Sequence, residues 1–158
     1  MICFFFSRLW RDKSGFGAME LALASPFLFL LGLGMIDASM LIGTKIDYEQ
    51  AAQRTTDFAL ARRPNSANGS YLQTEAAAAA GVTASQVTVD IYRTCNGVRA
   101  GSFDGACESG QITARYVNVV IAAPVETEFN WAGLASLLGF QAFAATVVVA
   151  GDSVVRFQ

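Results

Sequence analysis

From Phe16 to Gly43 apolar side chains follow one another with few interruptions, and from Thr44 to Arg63 they fall into steps of three and four. Leu21 to Ile36 carries no charge, and with its flanks this stretch is long enough to cross a hydrocarbon core of about 30 Å. Beyond it Tyr48, Ala51, Ala52, Thr55, Phe58 and Ala59 make one apolar face, with Lys45, Asp47, Glu49, Gln53, Arg54 and Asp57 on the other. Neither proline nor glycine lies between Thr44 and Arg63, and Pro64-Asn65-Ser66 then stops the pattern. The spacing therefore predicts one helix from about Phe16 to Arg63, roughly 70 Å long, in lipid for its first half and on a water-exposed domain for its second. Leu72 to Ala80 predicts a short alanine-rich helix ended by Gly81. Three strand-like runs follow, Gln86 to Thr94, Thr113 to Ala122 and Ala144 to Phe157. Trp131, Leu134, Leu137 and Leu138 recur at helical spacing between the second and third. This is an α+β layout: a long N-terminal transmembrane helix running into an exported domain with a small antiparallel sheet, the amphipathic half of the helix covering the sheet.

Composition sharpens this division. Apolar residues make up 53 % of the chain and charged residues 15 %, against about a quarter in soluble domains. Ahead of the apolar run Arg8, Arg11 and Lys13 face a single acid, Asp12, whereas Lys45, Asp47 and Glu49 beyond it are mixed. The positive-inside rule keeps such an N-terminus in the cytoplasm and sends the remainder across the membrane. The expected segments are a basic leader 1–15, a membrane helix 16–43, its amphipathic continuation 44–63 and an exported domain 64–158. A cleaved secretory signal would end its apolar core at an Ala-x-Ala site, but Ala22-Leu23-Ala24 lies near the start of the run, so the helix is expected to stay as an anchor. With a net charge of −2 and no basic patch past the leader, nucleic acid is not an expected partner.

The chain contains no histidine, which removes the commonest general base and zinc ligand together. Lys45 is the only lysine past the leader and sits beside the membrane, so the expectation is a non-enzyme without cofactor or metal. Of three cysteines, Cys95 and Cys107 flank a glycine-rich loop. In an exported domain they read as a disulfide, a constraint of about 3 kcal/mol in the entropic account; in a cytosolic protein they would be free thiols.

Two acids interrupt the apolar helix. Glu20 lies at its mouth, and an ionised side chain at a membrane helix centre costs about 2.5–3.5 kcal/mol, less near the interface. Asp37 lies near the far end, where a partner helix and the outer interface are equally open to it. Pro26 interrupts the run and frees a backbone carbonyl, which suits a helix with neighbours that re-satisfy it.

Lys13-Ser14-Gly15-Phe16-Gly17-Ala18-Met19-Glu20-Leu21, with its basic leader, resembles the processing site of type IV prepilins and pseudopilins. Together with Pro26, Gly34-Met35-Ile36-Asp37 and the helix after it, residues 8–63 resemble the TadE/TadG-like proteins of tight-adherence pilus systems. The resemblance implies cleavage after Gly15 by a prepilin peptidase, leaving Phe16 as first residue and Glu20 as fifth. Leu21 departs from the aromatic that Flp-type major pilins carry there. What is implied is a minor pilin or pseudopilin with a pilin-like fold, held by a single pass in the bacterial inner membrane with its domain in the periplasm. Its implied partners are the peptidase, other pilins or pseudopilins, the inner-membrane assembly platform and the lipid bilayer. Glu20 would then pair with the amine of a neighbouring Phe16, although a glutamate this near the helix start also rests easily at headgroup level. The alternative is an unprocessed single-pass envelope protein whose periplasmic domain binds another partner.

Overall fold

The computed structural model describes residues 16–137, 139 and 146–158, so the leader 1–15, Leu138 and Phe140 lie outside the described residues. The first helix, α1, runs unbroken from Phe16 to Ala61, 46 residues and about 69 Å. It is followed by α2 (Ser70–Ala80), a 3-10 turn at Ala84–Gln86, and strand β1 (Val87–Cys95). Then come β2 (Val98–Arg99), β3 (Thr113–Glu126), helix α3 (Trp131–Leu137) and β4 (Thr146–Arg156). The strands form one antiparallel sheet in the order β2-β1-β3-β4.

The chain divides into two compact units, residues 1–39 and 40–158. The described part of the first is the apolar end of α1. It is long and apolar enough to cross a membrane, and the rest of the described chain does not bury that stretch. Met19, Leu23, Phe27, Phe29 and Met35 are all exposed, a pattern that water penalises and lipid does not.

The second unit is built on strand alternation. On one face of the sheet Val87, Ile91, Val117, Val119, Ile121 and Val149 pack with Tyr48, Ala51, Ala52 and Ala59 of α1 and Leu72, Ala76 and Ala77 of α2. The helix–sheet approach is closest at Gly151: a Cβ there would stand 2.5 Å from the Glu49 backbone nitrogen. Two hydrogen bonds flank this contact, Thr56 Oγ1 with Ser153 Oγ at 3.0 Å and Lys45 Nζ donating to the Ala150 carbonyl at 3.3 Å. The apolar stripe of α1 differs from its expected form at one position. Phe58 is 37 % exposed, because it leans on Tyr71 of α2 edge-on, and the buried place beside Thr55 goes to Thr56 instead.

Three other elements differ from their expected limits. Strand β3 continues four residues past Ala122, since β4 pairs with it as far as Glu126–Thr146. β4 is one strand, its Ala150-Gly151-Asp152 centre kept in the ladder opposite Ala122, Ile121 and Val120. The cysteine loop opens with a hairpin to the two-residue β2, turning at Asn96 (φ 49) and Gly97 (φ 83). Two successive positive φ values are what a tight hairpin needs, and Asn-Gly meets that need best.

Candidate membrane and assembly segment

Gly15 lies outside the described residues, and Phe16 is the first described residue of helix α1. Glu20, four positions on, is exposed. Asp37 lies seventeen positions further, about 25 Å along the same helix, so the two acids do not form one site. Asp37 is buried, 5 % exposed, in a segment whose other side chains are largely bare.

Between them the helix passes Pro26 without a break. Proline lacks the N–H that would bond the Ala22 carbonyl four residues back. Ser25 supplies the substitute: its Oγ donates to that carbonyl at 3.1 Å. The freed group is thus served from within the helix, by the adjacent hydroxyl, where a neighbouring helix was expected. A serine before a proline in an apolar run is the signal that could have found it.

Where the helix leaves the apolar stretch, Lys45 pairs with Glu49 at 2.6 Å across one turn. The hydrogen bond to Glu49 and then its charge hold the Lys45 ammonium above its usual pKa. At the other end of α1, Tyr71 donates to the Arg62 carbonyl at 3.1 Å beneath the Arg62 guanidinium. Burial raises the pKa of its phenol and the Arg62 charge works against that rise.

In the second unit Cys95 and Cys107 are joined as a disulfide across a separation of 12 residues. Three features of this region had no counterpart in the sequence reading. Arg93 is 6 % exposed on the core face of β1, its guanidinium against Gly105 and its Nε and Nη1 without hydrogen-bond partners among the described residues. Directly opposite, Arg115 lies over the Phe103 ring and donates Nη1 to Gln158 Oε1 at 2.8 Å. On the outer face Arg99 grips both Asp90 oxygens at 2.8 Å and covers Tyr92, which stacks on Tyr116. Strand alternation assigns these residues to faces, but the cross-strand partners depend on register, which one strand alone does not encode. Trp131 is half-buried, edge-on to Phe129 at 4.8 Å.

No cluster of histidine, cysteine, aspartate and glutamate able to hold a metal occurs among the described residues.

No curated protein and no solved structure matches the chain. Residues 15–57 match the TadE family, described as TadE-like protein. The match starts at Gly15, takes in Glu20, Pro26 and Asp37, and ends inside the amphipathic continuation of α1. The matched stretch is the part of helix α1 that carries both acids and the proline of the apolar run, and over that stretch the chain is similar to TadE-like proteins.

Proposed function

We propose that the protein is a minor pilin or pseudopilin of a tight-adherence pilus system, matured by a prepilin peptidase that cuts after Gly15 and needed for pilus assembly. The observation that carries this reading is positional. The TadE match begins at Gly15 and takes in Glu20, an exposed carboxylate on the otherwise apolar surface of α1. Cleavage creates an amine on Phe16, and in a subunit bundle a carboxylate four residues into one helix can neutralise that amine on the next. Phe16 and Glu20 are about 6 Å apart along the axis, so the pairing sets an axial stagger of that order between neighbouring subunits. Fixing register is the best-attested use of a polar group among apolar ones. The protein acts without catalytic residues of its own, as a substrate of the peptidase and a partner of other pilins and the inner-membrane assembly platform. Its N-terminus faces the cytoplasm and its folded unit the periplasm, an orientation supported by the arginine and lysine excess before Phe16.

Mass spectrometry of the mature chain, from cells with and without the peptidase, tests the reading. A chain beginning at Phe16 only where the peptidase is present supports it, and Gly15→Ala should block that change. A chain still beginning at Met1 in peptidase-containing cells refutes the processing. Glu20→Ala should leave membrane insertion intact while lowering pilus yield at least about tenfold, the effect of losing roughly 1.4 kcal/mol per contact. Unchanged yield would dismiss the stagger.

A further inference from the structure

We propose that segment Gly101–Ala106 is a redox-operated cover: reduction of Cys95–Cys107 lifts it from the sheet and brings the buried Arg93 guanidinium into water. The segment rests directly on that side chain, since a Cβ at Gly105 would stand 2.8 Å from Arg93 Nη2 and 3.1 Å from Nη1. Phe103, 6 % exposed, is its anchor in the core, with its ring 6.4 Å from that of Phe157 and against the Arg115 guanidinium. Both ends of the segment are fixed. On one side Ala100 donates its N–H to the Arg93 carbonyl at 2.9 Å, and Arg99 holds both Asp90 oxygens. On the other, Gln111 N–H meets the Glu108 carbonyl and Ile112 N–H meets Asn96 Oδ1. Movement is confined to what lies between.

Among the described residues no backbone group from Gly101 to Ala106 forms a backbone hydrogen bond. Two things hold the cover down: the burial of Phe103, and the disulfide that ties Cys107 back to Cys95. Arg93 opposes them. Its Nε and Nη1, and the Nε of Arg115 opposite, are enclosed without hydrogen-bond partners, and no ion pair reaches either arginine among the described residues. A buried charge without a partner resists burial strongly, and a like charge at the paired position adds repulsion. The disulfide offsets this by removing open arrangements of the loop, and cutting it restores them. Opening then hydrates the stranded N–H groups. The chemical step is exchange with a dithiol. One of its thiolates attacks a sulfur of the pair and forms a mixed disulfide as the Cys95–Cys107 bond breaks, and its second thiol then releases the chain. The protein gains two electrons and two protons as two thiols, and the dithiol leaves as a disulfide. Both cysteines are half-buried, so neither sulfur is sealed in the core. The inference does not depend on processing at Gly15.

The test uses the full chain in detergent micelles, oxidised or reduced with dithiothreitol, with reduction checked by the mass of two added hydrogens. Phenylglyoxal labelling of arginines and chymotryptic cleavage after Phe103 are read by mass spectrometry. In the oxidised chain Arg93 should react at least about tenfold more slowly than the exposed Arg63. On reduction its labelling and the cleavage after Phe103 should each rise at least about tenfold, while the Val117 and Val119 amides of β3 stay protected from exchange. Arg93→Met keeps the bulk of the side chain and removes its charge, so its reduced form should be cleaved at least about threefold more slowly than the reduced parent. An Arg93 labelling rate that reduction leaves unchanged overturns the proposal, and so does an oxidised chain in which Arg93 reacts as fast as Arg63. Equal cleavage of the reduced parent and reduced Arg93→Met would show that the guanidinium does not drive opening. Loss of Val117 and Val119 protection on reduction would mean that the sheet opens as a whole and the segment is no separate cover.

Discussion

Replacing Gly151 by alanine probes the contact that seats the sheet on the long helix. The added methyl would lie 2.5 Å from the Glu49 nitrogen, 2.6 Å from the Tyr48 carbonyl carbon and 2.8 Å from Tyr48 Cβ. Ordinary carbon contacts need about 3.5–4.0 Å, so helix and strand must part by roughly 1 Å. Two of the three obstacles are backbone of a helix that cannot yield by changing a rotamer. Parting also stretches the Thr56–Ser153 and Lys45–Ala150 hydrogen bonds on either side. Overpacking of this kind costs about 1–3 kcal/mol, and at 2 kcal/mol the thermal midpoint falls by roughly 6–10 °C for a domain of this size. Gly43→Ala is the matched control: it lies in the same helix, its Cβ would meet nothing within 4 Å, and it should raise helix stability by up to about 1 kcal/mol. Melting of the full chain in detergent, read by near-ultraviolet circular dichroism, separates the two. If Gly151→Ala melts within about 0.5 kcal/mol of the parent protein and Gly151→Val does the same, the close approach is not a determinant of the fold.

Removing the disulfide by a paired Cys95→Ala, Cys107→Ala change should cost about 3 kcal/mol in denaturant unfolding, and an unchanged midpoint under reducing conditions would contradict it. Ser25→Ala should leave the Ala22 carbonyl without a donor, at about 1 kcal/mol or more in lipid, and shift a ¹³C=¹⁸O amide I band at Ala22 to higher frequency; an unmoved band means that another donor serves it. Raised in the folded state from an ordinary value of 10.0, the Tyr71 pKa makes the folded chain hold that proton more tightly than the unfolded one. Stability should therefore be unaffected by Tyr71 below pH 10 and decline as pH rises from there through the folded pKa. Ultraviolet titration at alkaline pH should show a late-ionising component that Tyr71→Phe removes, and a curve that Tyr71→Phe leaves unchanged at its alkaline end would refute the raised value.

The long helix was legible in its residues. A run of apolar side chains can only be stable in lipid or a large core, and a three-and-four pattern can only bury one helical face, so α1 and its two halves follow from spacing alone. Alternation at Val87, Val89 and Ile91 likewise specifies which face of β1 is inside, and Gly15, Phe16 and Glu20 announce themselves by position in the sequence. What tertiary structure decided is what meets across space. Phe58 has the spacing of a core residue yet lies against Tyr71, because the buried place depends on where the sheet ends and not on the helix. Gly151 has no special standing within its strand run until the helix backbone is seen to occupy the space a side chain would need. The cross-strand partners Arg93–Arg115 and Tyr92–Tyr116 exist only through the register of β1 on β3. Periodicity is a property of one segment and survives in the sequence; contact and vacancy are relations between segments, and only the packed chain creates them.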